Sequence, residues 1–525
     1  MALRELLLDT RTEARNRALN RALADWLPQV PLLEVECRGK TVVFNTVRSN
    51  PGSFHLYTDL FIGHLLARNG GRAVVLLDDG VLAHWDTVQR FRTSAAALHP
   101  MRARRRARAM KRNATAAYEV FKTPGLELKW YSELPARPAE EPVDADVERY
   151  ALASTLRYFE RGFFQPEDPE QGAYYGLSLE NAKVSKAVGR FVAERMRPDL
   201  FATSHGIYST WGPAYSLVKG AGGRTAVYAQ HPYHLGGLMI DDAPGGSLDR
   251  AAMAHYLCSA DFPEGHRAAA RAYLEARYSH HISDTHEYFD GAAASAPGLE
   301  RFSGSGYRLT FGLFPNVAWD AIGDHLKPVF PSVIDWIAES VRAIVEQGLH
   351  RLIVRFHPAE VTRLKGTVST ERLLRERLPD IDRYPNVVLV PASDRLSSYD
   401  LLRDAVDVAL VYTGTLGAEA QPLGVPVVSV ASGRFSEGFV HIASGPEAYL
   451  AILRDPQPVI EHFANDRERI VDSVLKYHYY LSEELFYPLP LLSRKGRRAV
   501  DAGELRGLPP VDGDGLRKTL QRFVA

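Results

Sequence analysis

The sequence predicts an α/β protein with two successive domains, each built on a parallel β-sheet. Three observations lead to this prediction. The chain has 525 residues, more than one compact core usually holds. Short, apolar, β-rich runs alternate with helix-like segments, which is typical of β–α units with a parallel sheet. This alternation occurs in two separate regions, with an irregular segment rich in Gly, Ala and Ser between them.

The first region is predicted to span residues 41–290 and follows a helical segment at 1–40. Buried strands are expected at 41–47, 72–78, 126–130, 199–204 and 225–230. Helices are expected at 54–69, 147–164, 179–195 and 211–219. Residues 291–306 are predicted to be a linker.

The second region is predicted to span residues 307–460. Its strands are expected at 308–313, 351–356, 386–390, 408–412 and 425–428, and its helices at 333–347, 370–378, 397–404 and 446–453. A C-terminal helical tail, 461–525, contains a long helix at 461–481. The pattern indicates two facing Rossmann-like domains, with a ligand at the carboxyl ends of the strands, in the cleft.

Composition excludes several classes of protein. Lys plus Arg and Asp plus Glu both number 63, so the overall charge does not favour nucleic acid as a partner. Only two cysteines occur, Cys37 and Cys258, which excludes a disulfide scaffold and fits a reducing cytoplasm. The first residues do not match a signal peptide, and no apolar run approaches the roughly 18 residues of a membrane span. We therefore expect a cytoplasmic protein, or one peripheral at the inner face of the membrane.

Residues 406–430 form a predicted strand, tight turn, helix and second strand. Gly414 in the turn lets a ligand approach the backbone, and Thr415 is expected to cap the helix. Glu419 lies one helical turn after Thr415, and Gly424 is expected to end the helix. Hydroxyls, free N–H groups and a carboxylate at a helix start suit a nucleotide phosphate and a ribose diol. An ordinary β–α corner is the alternative.

Other polar residues follow predicted strands of the same region. His357 comes at the end of strand 351–356, where Pro358 stops the strand, and can donate to a phosphate or tie down a loop. Asn316 follows the first strand, in a phosphate-contacting loop or in an ordinary turn. Ser397 is a natural helix cap and is also a candidate for contacting the nucleotide.

A strand ending in R-x-H-P, upstream of the T-G-T-x-G-x-E-A element, resembles the paired signatures of bacterial capsular polysaccharide glycosyltransferases. These belong to the Kdo-transferase and polysialyltransferase-like group of GT-B enzymes. The resemblance covers residues 308–430 well and the first region only in outline. It implies a metal-independent transferase that uses a nucleotide sugar as substrate and has no further cofactor. The residues it implies for donor binding are Arg355, His357, Pro358, Asn316, Ser397, Thr413, Gly414, Thr415 and Gly417, with Glu419 holding the ribose.

The first region supplies candidates for the acceptor side. His205 follows strand 199–204 and is a candidate base near the acceptor hydroxyl, with a structural histidine as the alternative. The expected catalytic residues are thus His205, His357 and Glu419. The remaining acceptor or cleft candidates are Asn45, Ser49, Asn50, Tyr208, Trp211 and His231.

Two further segments, one basic and one rich in histidine, have a functional and a structural interpretation. The basic run 102–112 could contact an anionic membrane surface or form a solvated helix face; it lacks the aromatic platform of a nucleic-acid site. Residues 279–287 hold three histidines and two carboxylates, but their spacing matches no zinc motif, so no metal site is predicted.

Transfer of a sugar to a glycan or lipid-linked oligosaccharide, in capsular or other surface polysaccharide synthesis, is therefore the predicted function. Three alternatives stay open. They are a polyol-phosphate transferase of the CDP-glycerol type, a nucleotide-sugar 2-epimerase, and a non-catalytic partner of capsule assembly.

Overall fold

The computed structural model describes residues 2–48, 54–84, 100–159, 164–243, 250–258, 261–279, 299–302, 306–317, 328–362, 368–433, 438–495 and 498–525. The chain divides into two compact units. The first consists of Met1–Tyr158, Gln165–Gly246 and Leu485–Ala525, and the second of Phe159–Phe164 and Ser247–Glu484.

The strands are β1 Thr41–Val47, β2 Arg72–Leu77, β3 Leu126–Trp130, β4 Leu200–Ser204, β5 Thr225–Gln230, β6 Gly237–Asp241, β7 Thr310–Phe314, β8 Arg351–Arg355, β9 Val387–Val390, β10 Val408–Val411, β11 Val427–Ser429, β12 His441–Ile442 and β13 Phe486–Pro488.

The α-helices are α1 Ala2–Trp26, α2 Phe54–Arg68, α3 Pro100–Phe121, α4 Ala145–Phe159, α5 Pro169–Phe191, α6 Tyr208–Gly220, α7 Arg250–Cys258, α8 Glu264–Tyr278, α9 Val333–Gln347, α10 Ala359–Thr362, α11 Thr370–Arg377, α12 Ser398–Asp404, α13 Leu416–Glu419, α14 Pro446–Arg454, α15 Gln457–Tyr479, α16 Ala502–Arg506 and α17 Gly513–Val524. None of these helices is long and apolar enough to cross a membrane.

The sheet of the first unit has the strand order β13-β6-β5-β4-β1-β2-β3. Strands β1 to β5 run parallel to one another, β6 pairs antiparallel with β5, and β13 pairs antiparallel with β6. Every residue of β1 after Thr41 is buried, as expected of a strand covered by helices on both faces. The chain order reverses between β1 and β4, so this gap is the topological switch point at which open α/β sheets bind ligands.

The sheet of the second unit is wholly parallel and has the order β12-β11-β10-β7-β8-β9. Its core is formed by the strands and by the buried face of α9, which includes Trp336. Here the chain order reverses between β7 and β10. The predicted α/β class with two mainly parallel, Rossmann-like sheets is therefore confirmed.

The unit boundaries differ from the segment boundaries expected from the sequence. Residues 250–279, expected in the first domain, belong to the second unit. The last 41 residues, expected in a helical tail, belong to the first unit, where Phe523 packs on Phe44 of β1 with ring centroids 5.6 Å apart. The linker prediction falls mostly outside the described residues.

Candidate functional site

The switch point of the second sheet brings Asn316 and Thr413 together. Asn316 follows β7, and its Nδ2 donates to Thr413 Oγ1 at 2.9 Å. The backbone N–H of Thr413, directly after β10, donates to Asn316 Oδ1 at 3.2 Å. Among the residues that the structure describes, a Cβ built on Gly414 would meet Asn316 Oδ1 alone within 4 Å, at 3.6 Å, so these residues leave the space beside Gly414 open. A ligand can therefore reach the backbone at this turn.

His357 lies at the carboxyl end of β8, as the sequence predicts. Its Nδ1 accepts a hydrogen bond from the Ala359 N–H at 3.1 Å. This assigns the proton of the neutral ring to Nε2, which is then a donor. Burial and the nearby Arg355 guanidinium lower the pKa of His357 to about 4. His357 is therefore neutral near pH 7, and Pro358 follows it at the first turn after the strand.

Arg355 has a structural role that the sequence did not indicate. Its guanidinium is buried and donates to the carbonyl oxygens of Pro391 at 2.7 Å, Asp394 at 2.9 Å and Leu396 at 3.2 Å. These bonds hold the loop between β9 and α12. The donor-phosphate contact that the resemblance implies for Arg355 stays a prediction.

Glu419 is buried, with only 1% of its side chain exposed, and its carboxylate has protein partners. Oε1 lies 2.7 Å from Nε of Arg277 on α8. Oε2 accepts from the Tyr399 hydroxyl at 2.8 Å and from Thr415 Oγ1 at 3.3 Å. A ribose diol would have to replace one of these partners. This pairing was not predictable from the sequence, because Arg277 is far from Glu419 along the chain.

The helix after Thr415 is shorter than predicted. Helix α13 has four residues and continues as a 3₁₀ turn, Gln421–Leu423, which Gly424 ends with φ +93°. Thr415 itself has helical backbone angles and makes no capping hydrogen bond. The predicted cap at Thr415 is therefore wrong, and one helical turn is too short to supply a substantial helix dipole. Gly417 is buried within α13.

Ser397 is the N-cap of α12. Its Oγ accepts from the Tyr399 N–H at 3.1 Å, and the residue is buried. The capping interpretation is confirmed. Gly414 and Thr413 after β10 and His357 after β8 thus lie at the carboxyl ends of strands of this sheet.

The switch point of the first sheet has an unusual backbone. Val47 ends β1 with φ +62°, and His205 follows β4 with φ +58°. Each is the central residue of a three-residue turn closed by a 2.6 Å hydrogen bond, Arg48 N to Thr46 O and Gly206 N to Ser204 O. Such γ-turns are rare and strained, and a β-branched residue at positive φ is costlier still. Strain of this kind clusters at functional sites.

Aromatic and basic side chains gather above these two turns. His205 stacks on Trp211 of α6 with centroids 5.6 Å apart, and His55 of α2 lies 6.0 Å from His205. The Arg48 guanidinium lies 4.5 Å above the Trp211 ring. Burial, Arg48 and Arg157 lower the pKa of His205 to about 4, so its ring is neutral near pH 7. The sequence pointed to His205 and Trp211, but not to His55 or Arg48.

The remaining acceptor candidates have hydrogen-bond partners or backbone turns of their own. Asn45 is buried and accepts from the Tyr131 hydroxyl at 2.6 Å, while Tyr208 begins α6 at φ +69°. His231 is buried, and its Nδ1 accepts from the N–H groups of Tyr233 and His234 at 3.2 and 2.9 Å. His231 therefore stabilises the turn formed by the residues that follow it. Ser49 and Asn50 lie outside the described residues.

Part of the basic run lies on helix α3. Lys111 pairs with Asp79 at 3.0 Å and lies 4.7 Å above the Trp130 ring, while Arg112 is exposed near Glu13. Some of this charge thus serves contacts within the first unit. The histidine-rich segment, apart from Ser279, lies outside the described residues. Within the described ranges, no group of three or more His, Cys, Asp or Glu could hold a metal ion.

No protein-family model and no curated protein matches the chain. Similar solved structures include the β-Kdo 2,4 transferase KpsC of Thermosulfurimonas dismutans, with 14% identity, coverage of 48% of this chain and 74% of that chain, and a TM-score of 0.30. Sucrose-phosphate synthase of Thermosynechococcus elongatus has 13% identity, coverage of 85% and 95%, and a TM-score of 0.26. UDP-GlcNAc 2-epimerase of Neisseria meningitidis has 10% identity, coverage of 85% and 98%, and a TM-score of 0.23. Similarity at this level assigns no substrate and no residue role to this chain.

Proposed function

We propose that this protein is a GT-B-type glycosyltransferase that moves a sugar from a nucleotide-activated donor to a glycan or glycolipid acceptor of surface polysaccharide synthesis. The observation that carries the donor half is the open turn at Gly414, at the switch point of the second sheet, with Thr413 and Asn316 bonded beside it. Strand-end turns at such a point bind ligands in open α/β sheets.

The proposed donor site works through neutral hydrogen-bond donors. The Thr413 hydroxyl, the backbone N–H groups of the turn and Nε2–H of His357 are groups that can stabilise the charge developing on a leaving phosphate. Donors of this kind can act without a metal ion. The neutral state of His357 supports the proposal, because a neutral ring bonded at Nδ1 keeps Nε2–H as a fixed donor.

The proposed acceptor half belongs to the first unit. His205 is half-buried at a strand end, and its neutral ring has the capacity to accept the proton of an acceptor hydroxyl. The strained backbone at His205 supports a functional role, since strain is retained where geometry matters.

Nucleotide binding provides the first test. Cytidine and uridine mono- and diphosphates are added singly, and the melting temperature is measured for wild type and for Thr413→Val. A nucleotide at about 100 times its Kd stabilises the native state by about 2.7 kcal/mol. We expect a clear increase in melting temperature for at least one nucleotide, and a smaller one for Thr413→Val. Thr115→Val makes the same chemical change at an exposed helix position and should respond like wild type.

Turnover provides the second test. Nucleotide sugars and CDP-glycerol are supplied separately with a glycan acceptor, and release of CMP, CDP or UDP is followed. Release from a nucleotide sugar that depends on the acceptor supports glycosyl transfer. Release from CDP-glycerol alone, or epimerisation of the free nucleotide sugar without acceptor, would replace the proposal with one of those reactions.

A further inference from the structure

Four side chains converge at the β1–β4 switch point of the first unit. They are Arg48 after β1, His55 in the first turn of α2, His205 after β4 and Trp211 on α6. His55 lies 6.0 Å from His205 and 6.4 Å from Trp211, measured between ring centroids. With Arg48 stacked on Trp211, the cluster joins three separate stretches of chain at one edge of the sheet.

Two of these side chains are buried with hydrogen-bonding capacity left unused. Nδ1 of His55, which is 3% exposed, and Nε1–H of Trp211, which is fully buried, have no hydrogen-bond partner among the residues that the structure describes. An unpaired buried polar group is destabilising, because no hydrogen bond offsets its desolvation. Such groups call for an explanation, and a missing ligand is one that fits their common location.

The charge around the cluster is positive. Burial lowers the pKa of both His55 and His205 most, Arg48 lowers both further, and Arg157 of α4 also lowers that of His205. On α2, one helical turn after His55, the Asp59 carboxylate accepts from Thr46 Oγ1 at 2.6 Å and from the Tyr228 hydroxyl at 2.5 Å. Burial raises the pKa of Asp59 to about 7, so near neutral pH it carries only part of a negative charge.

Strained backbone conformations hold the cluster in place. The two γ-turns centred on Val47 and His205 set the directions in which Arg48 and His205 leave their strands. Residues in sparsely populated backbone regions are destabilising and persist only where the surrounding structure holds them. Neighbouring strand ends that both carry this strain indicate a geometry maintained for binding.

We infer that Arg48, His55, His205 and the indole N–H of Trp211 form an oxyanion subsite that takes a phosphate or carboxylate group. As a subsite for the acceptor it rests on the proposed function, but oxyanion binding itself does not. The guanidinium supplies charge, and the two rings and the indole N–H supply donor directions. An acidic acceptor would be anchored here with a hydroxyl close to His205.

We expect binding of an oxyanion to change the protonation of the histidines. Burial lowers the pKa of both rings most and Arg48 lowers it further; a bound negative charge offsets the field of Arg48, so both pKa values rise. Near pH 6 the free rings are neutral and the occupied site takes up protons, whereas near pH 8 a His205 ring whose pKa has risen toward neutrality is again mostly neutral and can accept the proton of the acceptor hydroxyl. Proton uptake on binding is therefore a signature that a merely structural cluster lacks.

Calorimetry with sulfate and with acetate tests the inference on the full chain. Sulfate represents a phosphate group and stays ionised, so protons taken up near pH 6 go to the protein; acetate represents a carboxylate. Titrations in two buffers of different ionisation enthalpy give the number of protons. We expect one of the anions to bind with proton uptake, and Arg48→Gln to weaken that binding by about tenfold or more, as for loss of a charge-assisted bond.

The controls keep the test decisive. Arg137→Gln makes the same change at an exposed position of the first unit and should bind like wild type. Arg48→Lys keeps the charge and replaces Arg48→Gln in the comparison if that variant does not fold. The inference is overturned if wild type binds neither anion, if binding takes up no protons, or if the Arg48 and Arg137 variants bind equally well. Anion binding without any sugar transfer would refute the proposed function and leave the subsite standing.

Discussion

Glu419→Gln is the perturbation with the most informative outcome in the second unit, because it removes a buried charge and keeps the shape of the side chain. Glu419 and Arg277 have side chains 1% and 4% exposed and lie 2.7 Å apart. Removing one partner of a buried ion pair leaves the other charge uncompensated and costs about 3–5 kcal/mol. The amide oxygen can still accept from Tyr399, so most of this loss is attributable to the isolated guanidinium.

The double variant Arg277→Met/Glu419→Gln separates the ion pair from its surroundings. Methionine removes the uncompensated charge and fills a similar volume, so stability should recover most of the loss. Urea unfolding of wild type, both single variants and the double variant gives a coupling energy, expected at about 1–3 kcal/mol. The exposed pair Arg403 and Asp400, 3.6 Å apart, is the matched control and should couple by less than about 1 kcal/mol.

The same double variant decides what Glu419 does. If Glu419 holds the ribose, the restored protein still loses nucleotide-induced thermal stabilisation. If its role is only structural, stabilisation by nucleotide returns together with stability. Single variants that lose less than about 1 kcal/mol, or a coupling no larger than that of the control pair, would refute the description of a tightly paired buried carboxylate.

Three further predictions follow from the described side chains. His357→Ala should abolish transfer, and because the pKa of His357 is about 4, the donor function of wild type should not change between about pH 6 and 8 in rate measurements. His205→Ala should lose turnover while nucleotide-induced thermal stabilisation is kept; a normal rate would remove His205 as the base. The folded-state pKa of Asp59, about 7, lies above its unfolded value, so its carboxyl makes the protein less stable as pH rises from about 4 to 7. Asp59→Asn should therefore gain stability relative to wild type at about pH 8 but not at about pH 4 in urea unfolding, and an equal change at both values would contradict the raised pKa.

The sequence predicted the parallel strands well, for a physical reason. Strands covered on both faces are continuously apolar, and β1 begins and ends where the pattern indicates, as do β5 and the edge strand β3. The antiparallel pair β6 and β13 was not predicted. Both strands are short; β6 begins with a glycine, and β13 ends with a proline, which the edge of a sheet tolerates.

The candidate site was predictable only where it depends on local sequence. His357 followed by a proline is visible from the end of a strand, and Ser397 from its place before a helix. The partners of Glu419 were not visible, since 141 residues separate Tyr278 from the Glu419 carbonyl to which it donates. His55 was missed for the same reason: it becomes a neighbour of His205 only because β1 and β4 pair.

The two switch points suggest a division of roles on energetic grounds. At the second sheet the polar groups are neutral and bonded to one another, as between Asn316 and Thr413, and the backbone beside them is open. At the first sheet the groups are basic, tightly buried and held by strained turns. Open backbone suits a ligand that brings its own charge and is released after each turnover. A strained, preorganised basic cluster loses less entropy on binding and suits a group that must be held in one orientation. The asymmetry therefore favours nucleotide exchange at the second sheet and orientation of an acidic acceptor at the first.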